Sequence, residues 1–144
     1  MLRNMGRAAL SVYSAIEHTH GADAFVGALD EVLGKDASRI KRGEHSFSDP
    51  AQLEERLREA DFDVVEVHTV VQTIVFPSVL DYVRFQLLAT PMTILLKDRT
   101  ESERQAIISS VSAGTASRST PKMLGDGKFT FPQQAYVALA QKLR

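Results

Sequence analysis

Four histidines are the residues of this 144-residue chain best suited to acid–base or metal chemistry. His18-Thr19-His20 sets two imidazoles close together, but a metal would want a third ligand that the neighbourhood does not supply, so the tripeptide reads as a loop. His45 and His68 read as surface or strand-face residues, since a general base also requires a geometry that only a fold provides. Two further groups could line a ligand site. Tyr13 and Ser14 close a short apolar run and would lie at the carboxyl end of a sheet strand, the edge where α/β folds bind ligands. The plainer reading makes Tyr13 a strand-end aromatic with its hydroxyl in water. Tyr82, Arg84 and Phe85 share a predicted helix and could line a hydrophobic pocket carrying one cation. Alternatively the aromatics pack against the sheet and Arg84 is solvated.

Several chemistries are excluded by composition. With no cysteine there is no thiolate nucleophile, disulfide framework, iron–sulfur site or cysteine-based zinc site. A net charge of -1 argues against a general nucleic-acid or anionic-membrane surface, and Lys41-Arg42 is too short to signal nucleic acid. The charge is nonetheless uneven: residues 1–72 carry -5 and residues 73–144 carry +4, which would put an anionic ligand nearer the second half or reflect nothing more than solvated faces. No run of about 18 apolar residues is present, so no membrane span is expected. Met1 to Arg7 is basic but leads into only a short apolar stretch containing Ser11, so no signal peptide is expected and the location reads as cytoplasmic.

The elements that must position these residues follow from periodicity. Residues 8–13 are too short and too small-sided for a helix and suit a buried strand. Phe25, Leu29, Val32 and Leu33 form one stripe of a surface helix ending at Gly34. Asp49 and Pro50 open a helix with Leu53, Leu57 and Ala60 buried, and Gln52 is placed to complete a capping box. From 64 to 76, β-branched residues recur at every second position, a strand long enough that a bulge near its middle is expected. A helix follows Pro77-Ser78 with Leu80, Val83, Leu87 and Leu88 on one face, and Thr100-x-x-Glu103 caps another. Residues 112–120 read as a polar loop or frayed helix end, and Gly125-Asp126-Gly127 as a turn. The tail is ambiguous. Propensity favours helix from Gln133 onward, whereas alternation of Ala135, Val137 and Leu139 permits a strand.

Three stretches carry a family resemblance: Gly6-Arg7-Ala8-Ala9-Leu10-Ser11-Val12-Tyr13; Phe47-Ser48-Asp49-Pro50-Ala51-Gln52-Leu53 with Ala60-Asp61-Phe62-Asp63-Val64-Val65-Glu66-Val67; and Phe131-Pro132-Gln133-Gln134-Ala135-Tyr136-Val137-Ala138-Leu139-Ala140. Together they resemble the C-terminal half of class I S-adenosylmethionine-dependent methyltransferases, nearest to the ubiquinone/menaquinone-biosynthesis type and related small-molecule enzymes. The resemblance implies an α/β fold holding the last three strands of a Rossmann-like sheet, with 8–13 as the fifth strand, 64–76 the sixth and 129–140 the seventh. That seventh strand would run antiparallel between the other two, which makes the tail a strand. Residues 1–76 and 128–144 would form the sheet core, and 77–127 a helical insertion placed as a lid over the acceptor.

Departures from the family pattern are equally specific. A Pro-Gly-Gly turn before the fifth strand is replaced by Asn4-Met5-Gly6, and an Ala-Gly-Phe helix end by Ala60-Asp61-Phe62. The glycine-rich cofactor turn and its acidic partner have no counterpart, since the only Gly-x-Gly is Gly125-Asp126-Gly127, in the wrong place. The chain is therefore expected not to bind S-adenosylmethionine alone and to be inactive alone. Its expected partners are a small-molecule acceptor and either a missing N-terminal methyltransferase half or a second copy paired through the open sheet edge. Substrate contacts are expected from Tyr13, Ser14, Tyr82, Arg84 and Phe85, with no catalytic residue assigned. The alternative is a stand-alone binding or oligomerising module that uses the exposed edge. An unrelated α+β protein would be favoured by a helical tail.

Overall fold

The computed structural model describes residues 5–143. Met1 to Asn4, on which the reading of the N-terminal stretch and part of the turn before the first strand rest, and Arg144 lie outside the described residues. Three strands form one sheet: β1 (Arg7–Tyr13), β2 (Val64–Phe76) and β3 (Phe129–Gln141). Five helices accompany them: α1 (His20–Leu33), α2 (Arg39–Gly43), α3 (Pro50–Glu59), α4 (Val79–Ala89) and α5 (Glu101–Ser117). Short 3-10 turns join β1 to α1 (Ile16–His18), α4 to α5 (Pro91–Leu96) and lead into β3 (Gly125–Gly127).

The sheet order is β1-β3-β2, and β3 is antiparallel to both neighbours, so β1 and β2 run parallel to each other. The tail is a strand despite its helix-forming composition. Flanked on both edges and packed on both faces, β3 gains more from cross-strand pairing than propensity can oppose. The expected bulge in β2 does not occur: pairing runs from Val64 opposite Gln141 to Phe76 opposite Phe129 without a slip. Because β3 is equally long, each β2 residue has a partner and none need be looped out. Pro132, opposite Thr73, is tolerated for a geometric reason. The amide of Lys142 donates to Gly6 O and Gln134 O accepts from Ser14 N, so even-numbered positions of β3 direct their backbone polar groups toward β1. Position 132 then faces the space beyond the end of β1, where no ladder bond is lost.

Alternation along β3 divides the core. Tyr136, Ala138 and Ala140 pack with Val65 against Leu53 and Leu57 of α3 on one face. Phe129 and Phe131, on the other face, join a larger cluster built from α1, α4 and α5. Fully burying a side chain such as Phe25, Leu29, Leu87 or Ile108 stabilises the fold by about 2 kcal/mol each. The segment 77–127 shares this cluster with α1, so its helices and α1 bury one continuous apolar volume.

Three local expectations change. α1 is not a surface helix with one stripe: Gly21, Ala22, Ala24 and Ala28 are buried as well as Phe25, Val26 and Leu29, because small side chains let β3 and α5 approach from other directions. On α4 the buried face is Tyr82, Val83, Gln86 and Leu87, while Leu80, Phe85 and Leu88 are exposed. Residues 112–117 continue α5 rather than fraying. Ser112 and Thr115 donate back to the carbonyls of Ile108 and Val111, absorbing the hydroxyls within the helix. The Thr100–Glu103 capping box forms in both directions, and Asp49 caps α3 by accepting from Ala51 N at 2.9 Å.

The two positions at which this chain replaces a glycine of the resembled pattern adopt the left-handed region, Met5 at φ 64 and Asp61 at φ 62. A residue with a Cβ is strained there, Asp less than most.

Candidate functional site

A cleft of ≈ 330 Å³ opens where the carboxyl end of β1 meets the end of β2, the start of α1 and the side of α4. Its aromatic wall grows from the helix period and the strand pleat acting together. Tyr82 of α4 meets Phe76 of β2 and Phe129 and Phe131 of β3 with ring centroids 5.1–5.5 Å apart, and Phe25 of α1 at 5.6 Å, all edge-on. Such pairs contribute about 0.5–1.5 kcal/mol each beyond burial. Burial, reinforced by the nearby Glu44 carboxylate, raises the Tyr82 phenol far above its ordinary range, so it stays protonated. Phe85 leans on Phe76 at 5.8 Å and forms the exposed rim.

The opposite wall is polar. The Tyr13 ring stacks on His45 at 5.0 Å with 24° between planes. His45 Nδ1 lies 2.9 Å from Ser14 O, and a carbonyl only accepts, so Nδ1 carries the hydrogen and Nε2 is left as a lone-pair acceptor. Burial lowers the His45 pKa below 6.5 and outweighs the upward pull of the Ser14 carbonyl; Lys41 lowers it further, while Glu44 and Glu17 raise it. The imidazole is thus neutral at neutral pH. Lys41 and Glu44 pair at 2.7 Å on the same rim and cancel each other's charge.

Two buried oxygens stand out. Thr19 and Gln86, 3% and 5% exposed, line this cleft, and their Oγ1 and Oε1 atoms are buried away from it without a hydrogen-bond partner among the described residues. Each unpaired buried polar group costs about 1–3 kcal/mol. A wider groove of ≈ 450 Å³ beside Leu88 and Ile94 differs, because its Arg104 is already bonded to the Leu96 and Lys97 carbonyls.

Of the residues singled out in the sequence, Tyr13, Tyr82 and Phe85 are brought together around the cleft. Ser14 lies fully buried beneath it, where its amide and hydroxyl both donate to Gln134 O and its carbonyl orients His45. Arg84 is exposed and does not line the cleft. His18 closes the 3-10 turn with Nδ1 3.3 Å from Ser14 Oγ and from Gln134 Nε2, and His20 opens α1. His68 is exposed on β2 at 3.3 Å from Glu66. Among the described residues no group of three His, Asp or Glu is placed to hold a metal.

Sequence reasoning missed His45, which is buried rather than superficial, together with Thr19, Gln86 and the Lys41–Glu44 pair. Gln86 had a legible signal. It falls four residues after Tyr82 on an otherwise apolar helix face, where a polar side chain demands a reason. His45 had none, since its partner is a carbonyl 31 residues away in sequence.

The residues present do not fit S-adenosylmethionine. β1 runs into Ser14-Ala15 with no glycine turn, and at Gly21, the glycine in the first turn of α1, the space a ligand would need is filled by the Phe131 ring. Gly125-Asp126-Gly127 forms its own 3-10 turn before β3, away from the cleft lining. The cleft residues therefore support binding and orientation of a small molecule, and no reaction step runs through that cofactor on the described residues alone.

No family model and no curated protein matches the sequence. No helix among the described residues is long and apolar enough to cross a membrane. Among solved structures the chain is similar to a candidate methyltransferase from Bacillus halodurans C-125, at 17% identity and a TM-score of 0.44. The alignment covers 99% of this chain and spans 58% of that protein's length.

Proposed function

We propose that this chain is the C-terminal portion of an S-adenosylmethionine-dependent methyltransferase, and that its cleft receives the small-molecule methyl acceptor. The observation that carries the reading is the sheet: a terminal strand inserted antiparallel between two strands that run parallel to each other, with a cleft at the carboxyl end of the first. The left-handed conformations at Met5 and Asp61, two positions where this chain replaces a glycine of the family pattern, give it further support.

In this reading the cofactor supplies an activated methyl group from residues outside this chain. The chain's own residues bind and orient the acceptor. The aromatic wall around Tyr82 excludes water, and the neutral His45, held by Ser14 O, offers a lone pair toward the acceptor. Calorimetric titration of the purified chain with S-adenosylhomocysteine, with size exclusion on the same sample, tests the division of labour. The expected result is no saturable heat. Stoichiometric binding would overturn the reading and require a nucleotide site made without the glycine turn.

One observation favours the second reading, a self-associating module. β1 has no partner on its outer edge among the described residues, and Leu10 there is 45% exposed. A concentration-dependent dimer that Leu10→Lys dissociates would support it.

A further inference from the structure

The sheet has a second open edge, at β2, opposite the one at β1. We propose that β2 pairs antiparallel with β2 of a second copy of this chain about a two-fold axis at Val70, joining two three-stranded sheets into one of six strands. This edge stays open whether or not further residues extend the sheet beyond β1.

Backbone direction defines the edge. Even-numbered positions of β3 bond to β1, and Gln141 O accepts from Asp63 N, so odd-numbered positions of β3 serve β2. Their partners on β2 carry even numbers, from Val64 to Phe76. Val65, Val67, Thr69, Val71, Thr73 and Val75 therefore turn their N–H and C=O groups outward, where none meets a hydrogen-bond partner among the described residues. The devices that usually keep such an edge unpaired are missing from it. Over 13 residues β2 has no proline, glycine or bulge, and from Thr69 to Phe76 it has no charge.

The edge matches itself. With Val70 opposite the partner's Val70, Val65 meets the partner's Val75, Val67 the partner's Thr73 and Thr69 the partner's Val71. The two-fold repeats these three pairs, and each exchanges two N–H···O bonds between β-branched residues. Neither ionisable side chain meets its own kind, since Glu66 faces the partner's Ile74 and His68 the partner's Gln72. The faces fit as well. On one face α3 covers the Val65 end and leaves Val71 and Val75 exposed; on the other α4 packs on Phe76 and leaves Val64 and Val70 exposed. Antiparallel pairing sets the bare end of each copy beside the covered end of the other on both faces. Parallel pairing would set bare end beside bare end.

The chain has no cysteine, so single introduced thiols report which residues face each other. Val70→Cys places two thiols opposite each other in a non-hydrogen-bonded pair with Cα atoms about 4.5 Å apart, a separation that a disulfide spans. Val75→Cys is the control. Residue 75 is the more exposed, at 55% against 37%, but its two copies would lie roughly 33 Å apart along the paired strands. Mild oxidation of the full chain is expected to cross-link Val70→Cys roughly tenfold faster than Val75→Cys, or more. Sedimentation of the unaltered chain is expected to show a monomer–dimer equilibrium with a dissociation constant on the order of 10 µM, as for a small interface. Val70→Lys and Val70→Glu each put like charges on the axis and should sediment as monomers, while their equimolar mixture recovers the dimer. Equal cross-linking at 70 and 75 overturns the proposal, as does a chain still monomeric at about 200 µM. So does a dimer that Leu10→Lys dissociates and Val70→Lys does not, which would place the contact at β1.

Discussion

Gly21→Ala tests the contact on which the cleft floor depends. In an unobstructed helix the substitution stabilises by up to about 1 kcal/mol, because alanine loses less backbone entropy. At Gly21 a Cβ would overlap three atoms of the Phe131 ring. That ring cannot easily withdraw. It is buried, meets Tyr82 edge-on at 5.5 Å and lies 5.0 Å from Phe129. Overpacking of this kind costs about 1–3 kcal/mol, so the penalty exceeds the propensity gain and a net loss of roughly 1–2 kcal/mol is expected. In a chain of 144 residues this lowers the melting temperature by about 3–7 °C, readable by circular dichroism. Gly43→Ala is the control, since nothing lies within 4 Å of the added atom, and it should change stability by less than about 0.5 kcal/mol. Repeating Gly21→Ala in a Phe131→Leu background should recover about 1 kcal/mol of the loss. A Gly21→Ala chain as stable as the parent would refute the close packing of α1 on β3, and with it the shape of the cleft.

Other perturbations have signed outcomes. Asp61→Gly relieves a left-handed conformation at φ 62 and should stabilise by about 0.5–1 kcal/mol in urea denaturation; a loss would mean that the carboxylate makes an interaction outweighing the strain. His45 titrates below its unfolded value, so well above pH about 6.5 it contributes no slope, whereas as pH falls through that value the unfolded chain takes up a proton the folded chain resists and stability falls. His45→Asn should flatten the melting-temperature profile between about pH 7.5 and 5.5, and an unchanged slope would assign it to the other histidines. Thr100→Ala removes the hydroxyl that accepts from Glu103 N and should cost about 1 kcal/mol in thermal unfolding; no loss would mean that the α5 cap adds nothing to stability.

The strands and capped helices were legible because their signals are local. β-Branched alternation from Val64 to Phe76, the Asp49-Pro50 start and the Thr100–Glu103 box each state a structure within a few residues. The tail was not locally decidable, since its strand state depends on β1 and β2 lying on either side of it. The extension of α5 through Ser112 and Thr115 was hidden because hydroxyls that usually mark loops were bonded back into the helix. Half of the cleft was readable from Tyr13, Tyr82 and Phe85, whose aromatic bulk sits at a strand end and on a helix face. The other half depends on tertiary packing. Burial turns Thr19, His45 and Gln86 from ordinary polar residues into unpaired or tautomerically fixed ones, and no spacing rule records that.

The central proposal is that the cleft takes the small-molecule acceptor, for which indole is the probe, while the cofactor is bound by residues outside this chain. Amide NMR titration of one isotope-labelled sample, first with S-adenosylhomocysteine and then with indole, tests both parts. The account predicts no saturable shift with the nucleoside, and indole-induced shifts concentrated at Tyr13, Thr19, His45, Tyr82, Gln86 and Gln133 around the cleft. Saturable shifts with S-adenosylhomocysteine, or indole shifts that avoid those residues, would contradict it.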